Sequence, residues 1–151
     1  MKVLLAVDRS APSRVAAKEV ARRPWPPGSE VKVITVVEPQ PRQFSGSDEF
    51  AADIHKSAVT AAQEGARALV EEAAATVRGG AGSSLSVTAQ VLNGSPVALI
   101  LEEAETWDAD LIVVGSHDYR ESVRTLLGSV SQAVAVKARC SVEIVRDKGR
   151  A

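Results

Sequence analysis

K-V-L-L-A-V, residues 2–7, is an apolar run without alternation at the start of the chain. A strand with one wet face alternates apolar and polar residues, whereas a strand covered by helices on both faces is apolar throughout. This run therefore predicts a central strand of a parallel sheet. D-L-I-V-V, residues 110–114, has the same character and predicts a second buried strand.

The segments around these two runs alternate between helix and strand signals. Residues 30–37 and 141–146 are rich in β-branched residues, and residues 84–92 alternate as a half-buried strand does. Four stretches have helical spacing, with a capping residue or a proline at most of their starts. They begin after Ser10, at Asp48, after Ser95 and from Gly128.

The resulting order, β-α-β-α-β-α-β-α-β, predicts parallel strands joined by right-handed crossovers, and hence a three-layer α/β fold. The stretch from Asp48 to about Arg78 is the longest predicted helix, with a weak point at Gly65. In open parallel sheets the ligand crevice lies at the carboxyl ends of the strands, where the strand order reverses. The loops that begin at Asp8 and Gly115 are the candidates for that crevice.

Composition excludes several classes of function. The chain has 151 residues, with 18 basic and 19 acidic ones, so it lacks the positive excess that drives duplex binding. Aromatic residues are 3%, too few for a platform that stacks single-stranded bases. No apolar run has the length of a membrane span, and Asp8 ends the first run too early for a signal peptide. We expect one domain, 1–151, in the cytoplasm, with no nucleic-acid or membrane partner.

Two glycine-containing segments are the candidates for phosphate binding. Neither a Walker A motif nor a G-x-G-x-x-G turn is present. Instead, V-V-G-S-H at 113–117 leaves a buried strand and L-G-S-V-S at 127–131 enters a helix. Glycine permits close backbone approach to a ligand, and a helix N-terminus favours an anion. A phosphate is expected between the two segments.

With these landmarks the chain resembles the universal stress protein family. That family has a G-x2-G-x9-G-[ST] signature after its fourth strand, and Gly115 and Gly128-Ser129 stand at that spacing. V-D-x-S at 7–10, G-S-P at 94–96 and C-S-V-E-I-V-R at 140–146 are similar to further family landmarks. Asp118 stands where the signature has its middle glycine. The family includes members that bind ATP and members that bind none, so both alternatives stay open here.

The resemblance implies an adenine-nucleotide alpha-hydrolase-like fold with strand order 3-2-1-4-5 and a site for ATP or another adenine nucleotide. Asp8 would meet the ribose or the adenine edge, and Val36 would pack on the base. The remaining residues would lie at the phosphates: Gly115, His117, Gly128, Ser129, Val130 and Ser131. Any Mg²⁺ would be carried by the phosphates, so no metal motif is expected.

The predicted function is that of a stress-response switch or buffer without a catalytic residue set, and at most slow incidental ATP hydrolysis. The alternative is a nucleotide-free dimeric interaction module. In either case the resemblance implies a homodimer through the closing strand, with Val142 and Ile144 on one face. An apolar edge strand left uncovered is prone to aggregate, which favours the same contact.

Simpler roles remain open for several of these residues. Asp8 is also suited to cap the first helix, and Ser129 to serve as a helix N-cap. His117 fits a solvated loop, and His55 fits a structural position in the long helix. Cys140 fits a small buried hydrophobe, with Lys137 and Arg139 as the only hint of a reactive thiol.

Overall fold

The structure is a computed structural model that describes residues 1–39, 49–80, 85–116 and 127–149. These segments form strands and helices in strict alternation. The strands are β1 (Lys2–Ala6), β2 (Glu30–Val37), β3 (Ser86–Asn93), β4 (Leu111–Gly115) and β5 (Ser141–Val145). The helices are α1 (Ala11–Arg22), α2 (Glu49–Gly80), α3 (Pro96–Thr106) and α4 (Ser129–Lys137).

The sheet has the order β3-β2-β1-β4-β5, and every pairing in it is parallel. The predicted fold class and strand order are thereby confirmed. Val3 and Leu5 of β1 point into the core under α1 and α2, and Leu4 points into the core on the other face. All three side chains have no exposed surface, which explains why this strand is apolar without alternation. β3, at one edge of the sheet, alternates as predicted.

α1 begins as predicted, with Ser10 as its N-cap. The Ser10 hydroxyl oxygen accepts a hydrogen bond from the amide of Ser13 at 3.3 Å, which satisfies one amide of the first turn. α2 has 32 residues and runs through Gly65 without a break, so the predicted weak point is not seen. Its buried residues, from Ala66 to Val77, all lie in its C-terminal half.

The amino edge of the sheet is held by cations from the strands. The Lys32 ammonium lies 2.5 Å from a Glu103 carboxylate oxygen of α3 and 4.7 Å from the centre of the Trp107 ring. Lys2 donates from its backbone amide to the Asp110 carboxylate and from its ammonium to the Trp107 carbonyl. These contacts occupy the edge opposite to the carboxyl ends of the strands.

β5 is fixed from the α1 side. Arg23, just after α1, makes a two-pronged ion pair with the Glu143 carboxylate in the middle of β5. The guanidinium also lies 5.7 Å from the centre of the Trp25 ring, and the Trp25 indole donates to the Val20 carbonyl at 2.8 Å. The hydrogen bonds to the Glu143 carboxylate raise the pKa of Arg23.

Gly65 and Gly80 of α2 differ in the atoms that an added Cβ would meet, so substitution by alanine should change the free energy of unfolding in opposite directions. A Cβ at Gly65 would meet only the mobile guanidinium end of Arg9, whereas a Cβ at Gly80 would lie 2.7 Å from the Ala21 carbonyl oxygen. Gly65→Ala should stabilise the protein by about 0.5–1 kcal/mol, because alanine is the better helix former. Gly80→Ala should destabilise it by about 1–3 kcal/mol through the backbone clash. Urea unfolding of both variants checks this, and equal shifts in one direction would contradict it.

Candidate functional site

A cavity of about 500 Å³ lies at the carboxyl edge of the sheet, between the ends of β1, β2 and β4 and the starts of α3 and α4. We call it the site cavity. Its position is the one expected of a ligand crevice, because β1 is the strand at which the order of connections reverses. Six of the predicted site residues line it: Asp8, Val36, Gly115, Ser129, Val130 and Ser131.

The other two predicted residues do not contribute in the same way. Gly128 is the N-cap of α4 and is not among the lining residues. His117 lies outside the described residues, as does Asp118, so the loop that follows β4 does not enter the description of the site.

Asp8 stands at the mouth of the site cavity in a turn with fixed hydrogen bonds. Its Oδ1 accepts from the amide of Ser10 at 2.8 Å, and its own amide donates to the buried hydroxyl oxygen of Ser13 at 2.8 Å. The alternative that Asp8 caps α1 is wrong, because Ser10 has that role. The two bonds hold an exposed carboxylate in one place between β1 and α1.

One wall of the site cavity is apolar. Val36, Ile100 and Val114 line it, and the three belong to or pack against the core under α3 and α4. Below them the Thr35 hydroxyl is buried and donates to the Val7 carbonyl at 2.7 Å, which ties β2 to the end of β1. The wall can therefore take a flat apolar ring without exposing unpaired polar groups.

Glu38 is a lining residue that the sequence reasoning missed. It is exposed and directly follows β2, so its carboxylate stands at the rim beside Val37. Its place immediately after a predicted strand that ends at residue 37 was the available signal. A carboxylate at this rim is suited to accept hydrogen bonds from hydroxyl groups.

The N-terminus of α4 forms another part of the lining. Gly128, the N-cap, offers no side chain, and the first intrahelical bond runs from the Gln132 amide to the Gly128 carbonyl at 3.0 Å. Among the described residues, none accepts from the amides of Ser129, Val130 and Ser131. An uncapped helix start presents such amides together with the positive end of the helix dipole, so this wall favours an anion.

The two serines of α4 differ from their predicted roles. Ser129 is the first helical residue and is exposed, so the alternative that it is the N-cap is wrong. The family resemblance implied that Ser131 lies at the phosphates, where its hydroxyl could act as a donor. Its side chain is instead 2% exposed and donates to the Gly128 carbonyl at 3.0 Å, so that donor is already used.

A glycine is needed at position 115 for a reason other than the predicted approach of a ligand. A Cβ at this position would lie 2.6 Å from Pro12 C and from the Ser13 nitrogen in the first turn of α1. The glycine thus permits close approach between β4 and α1, rather than only between the chain and a ligand. Nor does Gly128 need unusual backbone angles, since its φ of −61° and ψ of 154° suit most residues.

The remaining titratable candidates lie away from the site cavity. Burial raises the pKa of the Cys140 thiol, and the Asp110 carboxylate adds to the effect, which favours an unreactive thiol. His55 lies in the N-terminal half of α2.

Within the described segments, no cluster of His, Cys, Asp or Glu is suited to hold a metal ion. No helix in the same segments is long and apolar enough to cross a membrane.

Comparison with known proteins decides the family. Residues 1–146 match the universal stress protein family. The chain belongs to that family. A universal stress protein of Methanocaldococcus jannaschii, MJ0531, is 30% identical over 148 residues, which cover 96% of this chain and 81% of that protein. Universal stress protein A homolog 2 of Coxiella burnetii is 46% identical over 67 residues, 44% of this chain and 45% of that protein.

Solved structures share the fold of this universal stress protein. The protein MJ0577 superposes with a TM-score of 0.72 at 23% identity, covering 99% of this chain and 97% of that one. A universal stress protein in complex with cAMP has a TM-score of 0.64 at 20% identity, covering 97% and 96% of the two chains. A family member from Arabidopsis thaliana with AMP bound has a TM-score of 0.59 at 14% identity, covering 99% and 93%. The fold is therefore the adenine-nucleotide alpha-hydrolase-like one that the sequence predicted.

The contact at Gly115 yields a stability prediction. Gly115→Ala should lower the free energy of unfolding of the ligand-free protein by about 1–3 kcal/mol, because the Cβ would overlap the backbone of α1. Gly79→Ala is the matched control, since a Cβ there meets no atom within 4 Å. Chemical denaturation without nucleotide measures both variants. An unchanged stability of Gly115→Ala would show that the glycine serves a ligand alone.

Proposed function

We propose that this universal stress protein binds an adenine nucleotide in the site cavity and acts as a switch or buffer in the stress response. The observation that carries the proposal is that one cavity of about 500 Å³ is lined both by apolar side chains and by a helix start that no described side chain caps. An adenine nucleotide has the same division, with a flat apolar base at one end and anionic phosphates at the other.

The base would lie against the wall of Val36, Ile100 and Val114. The carboxylates of Asp8 and Glu38 stand on the same side of the cavity, after β1 and β2, and neither suits a phosphate. Both can accept hydrogen bonds from the ribose hydroxyls. This arrangement supports the role that the family resemblance implies for Asp8.

The phosphates would lie at the start of α4. The amides of Ser129, Val130 and Ser131 supply donors and the exposed Ser129 hydroxyl adds another, whereas the bonded hydroxyl of Ser131 does not. Val130 would contribute its amide and part of the cavity wall. Gly128 would act by leaving the helix start uncapped, because it brings no side chain that competes for the amides.

The family neighbours that hold cAMP and AMP support the choice of an adenine nucleotide. For ATP, we propose that a magnesium ion is carried by the phosphates. Binding rather than catalysis is proposed, since the apolar lining and the helix start suit a ligand that is held and not converted. A cytoplasmic location fits the free thiol of Cys140.

Ser129→Asp tests where the phosphates lie. A carboxylate at the first position of α4 suits the helix dipole, so the variant should stay folded, yet it repels a bound phosphate. We expect ATP to bind about tenfold more weakly and uncharged adenosine to bind within about twofold of wild type. Titration calorimetry measures both ligands.

Ser57→Asp is the matched control, because it adds the same charge to an exposed position of α2 away from the site cavity. Equal weakening of ATP by Ser57→Asp, or equal weakening of ATP and adenosine by Ser129→Asp, contradicts the placement of the phosphates. A wild-type protein that binds none of ATP, AMP and cAMP overturns the nucleotide proposal and favours the interaction-module alternative.

We also propose a homodimer through β5. In the described sheet, β5 pairs on one side with β4, and its other edge has no strand beside it. Val142 and Ile144 are half-buried against the core under α3 and α4, and Glu143 is held by Arg23 from the other face. A strand fixed on both faces but open along its backbone edge is suited to pair with a second copy.

Val142→Lys should abolish this pairing, because a charged lysine on an edge strand disfavours pairing with a second strand. Light scattering after gel filtration should give the mass of a dimer for the wild type and of a monomer for the variant. Val87→Lys, on the opposite edge strand β3, is the matched control and should remain dimeric. A monomeric wild type at micromolar concentration contradicts the proposal.

A further inference from the structure

A second cavity, of about 530 Å³, lies between α1 and α2, on the face of the sheet that these two helices cover. We call it the α1–α2 groove. Its floor is made by Val7, Ala17, Leu69 and Ala73, of which all but Leu69 are buried. Small residues on the facing sides of the two helices leave this space open. The volume is that of a site for a small organic molecule.

Cations form the rim of the groove on the α1 side. Arg9, Arg14 and Lys18 line it, and all three are exposed. None of their side chains makes an ion pair or a hydrogen bond with another described residue, whereas Arg22 and Arg23 of the same region pair with Glu19 and Glu143. The groove therefore has positive groups whose hydrogen-bond donors are available to a ligand.

The rim is not neutralised by its own acidic residues. Asp8 and Glu72 are the acidic residues of the lining, against the three cations, so the lining carries a net charge of +1. The Oδ1 atom of Asp8 already accepts from the amide of Ser10. An incoming monoanion would balance the charge of the lining.

The Arg9 guanidinium lies close to Gly65 of α2. Its Nη2 atom lies so close to Gly65 that an added Cβ there would overlap the guanidinium. The absence of a side chain at residue 65 thus leaves room for the guanidinium beside α2. A glycine inside a helix lowers the free energy of unfolding by about 1 kcal/mol relative to alanine. At residue 65 the glycine leaves space that the end of the Arg9 side chain occupies.

We propose that the α1–α2 groove is a second ligand site, which binds a small organic anion through a carboxylate or phosphate group at Arg9, Arg14 and Lys18. The apolar body of the ligand packs on Leu69, Ala17 and Ala73. Two guanidinium groups are suited to such planar or tetrahedral oxyanions, because they donate paired hydrogen bonds. The site is separate from the start of α4, although the turn at Asp8 and Ser13 borders both cavities.

Phenyl phosphate and benzoate are the probes, since each joins one of the two anionic groups to a small apolar ring. Binding is followed by amide NMR shifts on the wild-type protein, with benzyl alcohol as the uncharged analogue. We expect at least one of the two anions to bind at millimolar concentration or below, with shifts at residues 9–18 and 65–76, and the tighter probe identifies the preferred group. Benzyl alcohol should bind at least about tenfold more weakly.

Removal of the rim charges gives the decisive comparison. The double variant Arg14→Gln with Lys18→Gln should weaken the tighter probe by about tenfold or more. Lys56→Gln with Arg67→Gln removes the same charge from exposed positions of α2 outside the groove, and should change the affinity by less than about twofold.

The proposal is overturned if neither anion binds, if both double variants weaken binding equally, or if the probe shifts the amides of residues 129–131 instead. The exposed side chains make folding defects unexpected, and thermal unfolding of each variant checks this. Ser129→Asp provides a further control. The probe should bind this variant with the same affinity as the wild type, whereas ATP should bind it about tenfold more weakly. Loss of probe binding in Ser129→Asp would also overturn the proposal.

Discussion

The architecture depends on the parallel pairing of β1 with both β2 and β4. β1 is followed by α1 on one face of the sheet, while the connection through α3 reaches β4 on the other face. The next described helices after β1 and β4, α1 and α4, pack on opposite faces of the sheet, and a crevice opens between the carboxyl ends of the two strands. The contact of Gly115 with the first turn of α1 sets how closely the two sides of the crevice approach.

The amino and carboxyl edges of the sheet differ in the contacts that their residues make. At the amino edge, the ion pair of Lys32 with Glu103 and the bonds of Lys2 close the surface. At the carboxyl edge, Asp8 accepts a hydrogen bond within its turn, and no side chain of the described residues caps the start of α4. The side-chain contacts of the amino edge are thus separate from the strand ends where the ligand is proposed to bind. This separation is common in α/β proteins, where loops on a rigid scaffold carry the function.

The sequence predicted the fold because its signals are local and repeated. Unbroken apolar runs mark β1 and β4, alternation marks β3, and Ser10 and Pro12 mark the start of α1. The family resemblance added the strand order and the residues that meet at the site cavity. Six of those residues do line one cavity, although they come from four separate segments of the chain.

The detailed role of single residues was harder to predict, since it depends on contacts between distant segments. The clash that fixes Gly115 as a glycine comes from α1, about a hundred residues earlier. Likewise, only the structure shows that the Arg9 guanidinium lies close to Gly65, the residue that the sequence marked as a weak point of α2. Ser131 illustrates the same limit within one helix turn, because only the structure shows that its hydroxyl donates to Gly128.

An amide NMR titration of the ¹⁵N-labelled wild-type protein with ATP tests the central claim most directly, because it reports on both walls of the site cavity at once. The account predicts the largest shifts at the amides of Ser129, Val130 and Val36, and no shift at Lys2 or Asp110 on the opposite edge. Shifts confined to the amino edge or to the α1–α2 groove, with the start of α4 unchanged, would contradict it.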